Sequence, residues 1–144
     1  MHILSPADGR ITNIIPHGRS LSLIITLNLW HKHYQIAPVD GRIARITYTK
    51  GKFLNAIFDR RAPLQNERNE IVMRHKGQAI TITQVAGMLA RRIYCDVRKG
   101  QRVSQGQRLG RIAFGSIVLL TVPRSAKIMA TRGRIRIGDT LGHL

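Results

Sequence analysis

The chain has 144 residues, and 24 Lys and Arg against 7 Asp and Glu give it a formal net charge of +17. That length suits one domain spanning 1–144, and an apolar share of 43% belongs to a folded chain rather than a disordered one. One cysteine, Cys95, excludes an intrachain disulfide and a cysteine zinc cluster and points to a reducing, intracellular compartment.

The predicted elements are mostly strands. Leu21, Leu23, Ile25, Leu27 and Leu29 repeat with period two and should line one face of a half-buried strand. Asn66 to Met73, following Pro63, is expected as a short helix, and Gln84 to Ala90 as a short turn. Ile80 and Ile82 alternate with Thr81 and Thr83, which makes Ala79 to Val85 another strand. Ser116 to Val122 is almost wholly apolar and closed by Pro123, as in a central strand covered on both faces. Turn signals recur at Asp8-Gly9, Asp40-Gly41, Lys50-Gly51, Lys99-Gly100, Gln105-Gly106 and Gly138-Asp139. The fold class is therefore mainly β, a sandwich or barrel of short strands with little helix. Gly-Arg-Ile occurs at 9–11, 41–43, 110–112 and 133–135, and the stretches 99–110 and 132–142 repeat loosely. These units resemble the hammerhead hairpins of biotinyl- and lipoyl-type carriers, but no lysine-bearing tip is present, so they read as scaffold.

The charge calls for an anionic partner: nucleic acid, an acidic membrane surface, or an anionic substrate. No run approaches the roughly eighteen apolar residues of a membrane span. One Trp, three Tyr and three Phe are few for a base-stacking platform, which argues against a binder of single-stranded nucleic acid.

Three local features can carry chemistry, and each has a plainer alternative. Pro6-Ala7-Asp8-Gly9 makes a β-turn, or it holds the Asp8 carboxylate rigidly enough to orient a histidine. His31 and His33 share one face of an extended strand, as a surface pair or as acid and base. Two histidines alone make a poor metal site, and no metal is expected. Ser116 after Phe114-Gly115 is a small packing residue, or the nucleophile of backbone self-cleavage. Glycine leaves its carbonyl open to a neighbouring hydroxyl.

Together these blocks resemble the phosphatidylserine decarboxylases of the short prokaryotic type. The matching residues are Ser5-Pro6-Ala7-Asp8-Gly9-Arg10, Ala37-Pro38-Val39-Asp40-Gly41, Gly51-Lys52-Phe53, Asn66-Glu67-Arg68-Asn69, 86–93 and 106–116. The resemblance implies self-cleavage between Gly115 and Ser116 into a β subunit, 1–115, and an α subunit, 116–144. Ser116 would become a covalent pyruvoyl group, the cofactor that acts as electron sink when CO₂ leaves phosphatidylserine to give phosphatidylethanolamine. By the same resemblance Asp8 belongs to the processing machinery. His33, five residues before Pro38, would protonate the decarboxylated carbon. Long relatives carry a second histidine where Ile36 stands, and often an aspartate where His31 stands. Relatives also carry an upstream apolar stretch, whereas this sequence opens directly on the aspartate motif.

The expected partners are an anionic aminophospholipid, the inner face of the cell membrane as a peripheral surface, and the chain's own two fragments, with a homodimer also compatible. The alternatives are an archaetidylserine decarboxylase, or a non-enzymatic basic β-domain that binds nucleic acid or anionic membrane.

Overall fold

The computed structural model describes residues 1–27, 33–56, 58–113 and 115–144. In chain order the elements are β1 (His2–Leu4), β2 (Gly9–His17), β3 (Ser20–Leu27), β4 (Tyr34–Ile36), β5 (Gly41–Thr49) and α1 (Ala62–Gln65). They continue with β6 (Arg68–His75), β7 (Gln78–Val85), β8 (Ile93–Cys95), β9 (Arg102–Val103) and β10 (Arg108–Ile112). The last four are β11 (Ser116–Pro123), β12 (Lys127–Ile128), β13 (Gly133–Ile135) and β14 (Thr140–His143). The expectation of a mainly β fold holds. An eight-stranded sheet runs in the order β13-β2-β3-β11-β7-β6-β5-β9, beside two three-stranded sheets, β1-β14-β12 and β4-β10-β8.

Alternation decides which side chains enter the core. Leu23, Ile25 and Leu27 of β3 and Val118, Leu120 and Val122 of β11 meet Ile3, Leu109, Ile112 and Leu141 from the smaller sheets. The opposite face of the same strands, with Ile24, Ile117 and Leu119, packs on Leu54, Ala56 and Ala62 of the segment before β6. β11 is thus covered on both faces, as its apolar run predicts. Each large apolar side chain taken from water here contributes roughly 1.5–3 kcal/mol. Leu29 lies outside the described residues.

One expectation is corrected. Asn66 to Met73 is not a helix: β6 occupies Arg68–His75, and the helix sits earlier, at Ala62–Gln65, with Pro63 in its first turn. Pro presets the backbone for a helix start. The residues after it are claimed by pairing with β5 on one side and β7 on the other. β7 runs through Val85, as the strand expected over Ala79 to Val85 has it, so the turn expected over Gln84 to Ala90 begins only after Val85.

The Gly-Arg-Ile repeats mark a pseudo-twofold arrangement of 4–11 and 36–43. Leu4 N–H donates to Pro38 O at 3.0 Å, and Ile36 N–H donates to Pro6 O at 2.9 Å. β2 pairs with β13 and β1 with β14, just as β5 pairs with β9 and β4 with β10. The hairpin tips are fastened alike. Gly138 N–H donates to Ser5 O at 3.0 Å and Gly106 N–H to Ala37 O at 2.9 Å, with both glycines at φ 87°.

The likeness ends at one place. β6 and β7 are joined by the tight turn Lys76-Gly77, at φ 48° and 79°. β3 and β11 pair in the same way, Leu27 against Ser116, with Gly115 at φ 77° just before Ser116. No turn joins them, because residues between Leu27 and Gly115 build the other half.

Candidate active site

The strand register brings Ser116 and the start of β2, just after Asp8, to one end of the large sheet, while His33 precedes β4 of a smaller sheet. Arg10, two residues after Asp8, lies opposite Thr26 of β3, and Ser116 lies opposite the next residue, Leu27. Ile117 lies opposite Val85, so β7 ends and its exit loop begins beside the same point.

Ser116 is fully buried, and its hydroxyl donates a hydrogen bond to the Ala113 carbonyl. Gly115 N–H donates to Leu27 O at 2.6 Å, which anchors the N-terminal side of Gly115 to the end of β3. On the other side stands Gly87. A Cβ there would overlap the Gly115 carbonyl oxygen and approach its carbon to 2.8 Å. Only a residue without a side chain leaves that slot for the carbonyl.

Gly87 is placed by Asn66. The buried Asn66 amide donates to Ala86 O at 2.7 Å and Leu54 O at 2.9 Å, and its carbonyl accepts Leu54 N–H at 2.9 Å. Gly87 N–H then donates to Ala90 O at 3.0 Å and folds the loop back. Sequence reasoning quoted both residues without giving either a task.

Asp8 is tied into the scaffold. Its Oδ1 accepts Ile137 N–H at 2.7 Å, and at the equivalent position Asp40 Oδ1 accepts Gln105 N–H at 2.6 Å. Fastening a hairpin tip is therefore one job of both aspartates, as the turn reading of Pro-x-Asp-Gly anticipates.

His33 is exposed at the entrance of β4, and its carbonyl accepts Ile112 N–H at 2.9 Å and Gln35 Nε2–H at 2.8 Å. Gln35 heads a buried amide chain. Its Oε1 accepts from Gln84 at 2.9 Å, and the Gln84 carbonyl accepts from Asn69 at 3.1 Å. Buried amides linked in this way have few alternative arrangements, so they hold the His33 backbone in one place. His33 lines a cleft of about 430 Å³ with Arg92, Tyr94, Arg111 and Ala113. Ala113 is thus common to the cleft and to the Ser116 hydroxyl. His31 and Phe114 lie outside the described residues. Ile36, in place of a second histidine, is nearly buried.

The chain matches the profile described as phosphatidylserine decarboxylase over residues 1–143. It belongs to the phosphatidylserine decarboxylase family. Among its relatives are proteins named phosphatidylserine decarboxylase proenzyme from Ralstonia pickettii (strain 12J), 44% identical, and from Ralstonia nicotianae, 43% identical. Another from Burkholderia vietnamiensis is 40% identical. Each comparison covers 95% of this chain but 64% of the relative, so the chain spans just under two thirds of their length.

Proposed function

We propose that this chain carries the self-processing and decarboxylating centre of an enzyme that converts phosphatidylserine to phosphatidylethanolamine at a membrane surface. The observation that carries the reading is the setting of the Gly115–Ser116 bond. Its carbonyl lies in the Gly87 slot, its N-terminal side is fastened to Leu27, and the adjoining hydroxyl is buried against Ala113. The relatives' designation as proenzymes supports it.

Ser116 Oγ attacks the Gly115 carbonyl carbon, and the peptide C–N bond breaks to leave an ester and a free amine. Removal of the Ser116 Cα proton then breaks the Cβ–Oγ bond, releasing the Gly115 carboxylate and leaving dehydroalanine. Water displaces ammonia, and residue 116 becomes the pyruvoyl end of the 116–144 fragment. Burial of Ser116 and the absence of a Cβ at Gly115 both suit this chemistry. The pyruvoyl ketone supplies an electron-withdrawing carbonyl for the charge left when CO₂ departs.

The chain's own groups do the rest. His33, on the cleft beside Ala113, holds the proton to be delivered to the carbon that has lost CO₂. Asp8 orients the processing end while keeping its hairpin tie. β11 pairs with β3 and β7, so a cut before Ser116 leaves 116–144 clasped between strands of 1–115. The basic surface favours the anionic inner leaflet, where each nearby Lys or Arg contributes about 1 kcal/mol.

CO₂ release from phosphatidylserine vesicles tests the reading. It should accompany the wild-type protein and vanish with Ser116→Ala. Equal release from both would overturn the proposal.

A further inference from the structure

The cleft beside His33 has a charge pattern of its own. Arg111 on β10 lies in register with Tyr34 on β4 and with Tyr94 on β8. Its guanidinium sits 4.2 Å from the centre of the Tyr94 ring, a cation–π contact that restrains the side chain beside the cleft. Arg92 lines the same cleft. The Tyr94 phenol is pulled below its ordinary value, chiefly by a hydrogen bond from Arg92, then by the charges of Arg92 and Arg111 and by a hydrogen bond from Arg111. No carboxylate is among the described residues that line the cleft. Among the described residues neither arginine has an ion pair; the pairs present are Arg61–Asp59 and Arg68–Glu70. Arg92 and Arg111, both drawn to Tyr94 in a cleft that reaches Ala113 and has no carboxylate among its described lining, make a site for an anion.

We propose that Arg92 and Arg111 form the headgroup subsite of this cleft and hold the phosphodiester of the aminophospholipid, not its serine carboxylate. The inference rests on the decarboxylase reading for its substrate. Its chemistry follows from what changes during the reaction. The carboxylate loses its charge on leaving as CO₂, so a guanidinium paired with it would hold the ground state more tightly than the transition state. The phosphodiester keeps one negative charge throughout, and the planar guanidinium fork matches its two free oxygens. Binding of that kind is equal in ground and transition states and therefore appears in KM.

The test uses glycerophosphoserine, a soluble diester that removes the membrane from the measurement. Arg92→Gln and Arg111→Gln should self-cleave like wild type. Each should raise KM for this probe by about ten- to a hundred-fold, the scale of a lost charge-assisted hydrogen bond, with kcat within about twofold. Arg42→Gln and Arg102→Gln remove the same charge from the groove around Asp40 and His75, and they should leave KM unchanged. Equal KM changes in both sets, or a loss falling on kcat, would overturn the proposal. Calorimetric binding of glycerophosphoserine to the uncleaved Ser116→Ala protein separates the two readings. Binding weakened by Arg111→Gln but not by Arg102→Gln upholds the subsite even if wild type neither cleaves nor releases CO₂. Binding insensitive to Arg92 and Arg111 overturns the subsite even in a protein that does both.

Discussion

The Gly115 carbonyl occupies the space that a side chain on Gly87 would fill. Gly87→Ala must push that carbonyl away from the end of β7. Self-cleavage should slow at least about tenfold, since small misplacements of reacting atoms are costly. Gly142→Ala is the matched control, because its Cβ would strike the Lys127 carbonyl and lie 2.9 Å from Ile128 Cα, far along the chain from the cut. A time course of intact mass should show slow processing in the first variant and normal processing in the second. Equal rates would assign Gly87 to packing alone.

Asp8 and Asp40 provide an internal comparison, since each accepts one backbone N–H at a hairpin tip. Removing either acceptor with Asp8→Ala or Asp40→Ala should cost about 1–3 kcal/mol in urea unfolding. Asp8→Asn and Asp40→Asn keep a carbonyl acceptor and should keep most of that stability. Only Asp8→Asn should slow cleavage. If both asparagine variants process at the wild-type rate, Asp8 serves the hairpin and nothing more.

His33 should separate the two chemistries. His33→Gln is expected to cleave at Gly115 yet lose about 10²- to 10⁴-fold in CO₂ release, the usual contribution of a positioned proton donor. Failure of the variant to cleave would make His33 part of processing as well.

Strands with strict alternation, or with an unbroken apolar run as in β11, are legible from sequence. β3, β7 and β11 lie where Leu23-Ile25, Ile80-Ile82 and Val118-Leu120 put them. β6 was not, because Asn66 to Asn69 is polar and its extended shape comes from neighbours on both sides rather than from its own pattern. Ser116, Gly115, Asp8 and His33 could be singled out by motif. The cleft could not, since His33, Tyr94 and Arg111 come together only when β4, β8 and β10 pair. The Gly87 slot depends on a close backbone approach that no spacing encodes.

Tyr48 gives a pH signature away from the site. Its phenol is pushed up to about 12 by burial, helped by its hydrogen bond to Glu67 and by that carboxylate's charge. A raised tyrosine pKa means the fold favours the neutral phenol. That contribution to stability is complete below about pH 10 and is lost as pH rises toward 12. Tyrosinate absorbance should show one late-titrating group that disappears in Tyr48→Phe and moves earlier in Glu67→Gln. A wild-type titration with no group above the ordinary tyrosine range would contradict the contact.

The central claim is that the chain cuts itself before Ser116, and intact mass under denaturing conditions addresses it directly. The prediction is two species that co-purify under native conditions: residues 1–115, and a 116–144 fragment whose new end reacts with hydroxylamine. Ser116→Ala should remain a single 16.2 kDa chain apart from the mass of the lost oxygen. A wild-type protein that also stays at 16.2 kDa, with no carbonyl reactivity, would contradict the account.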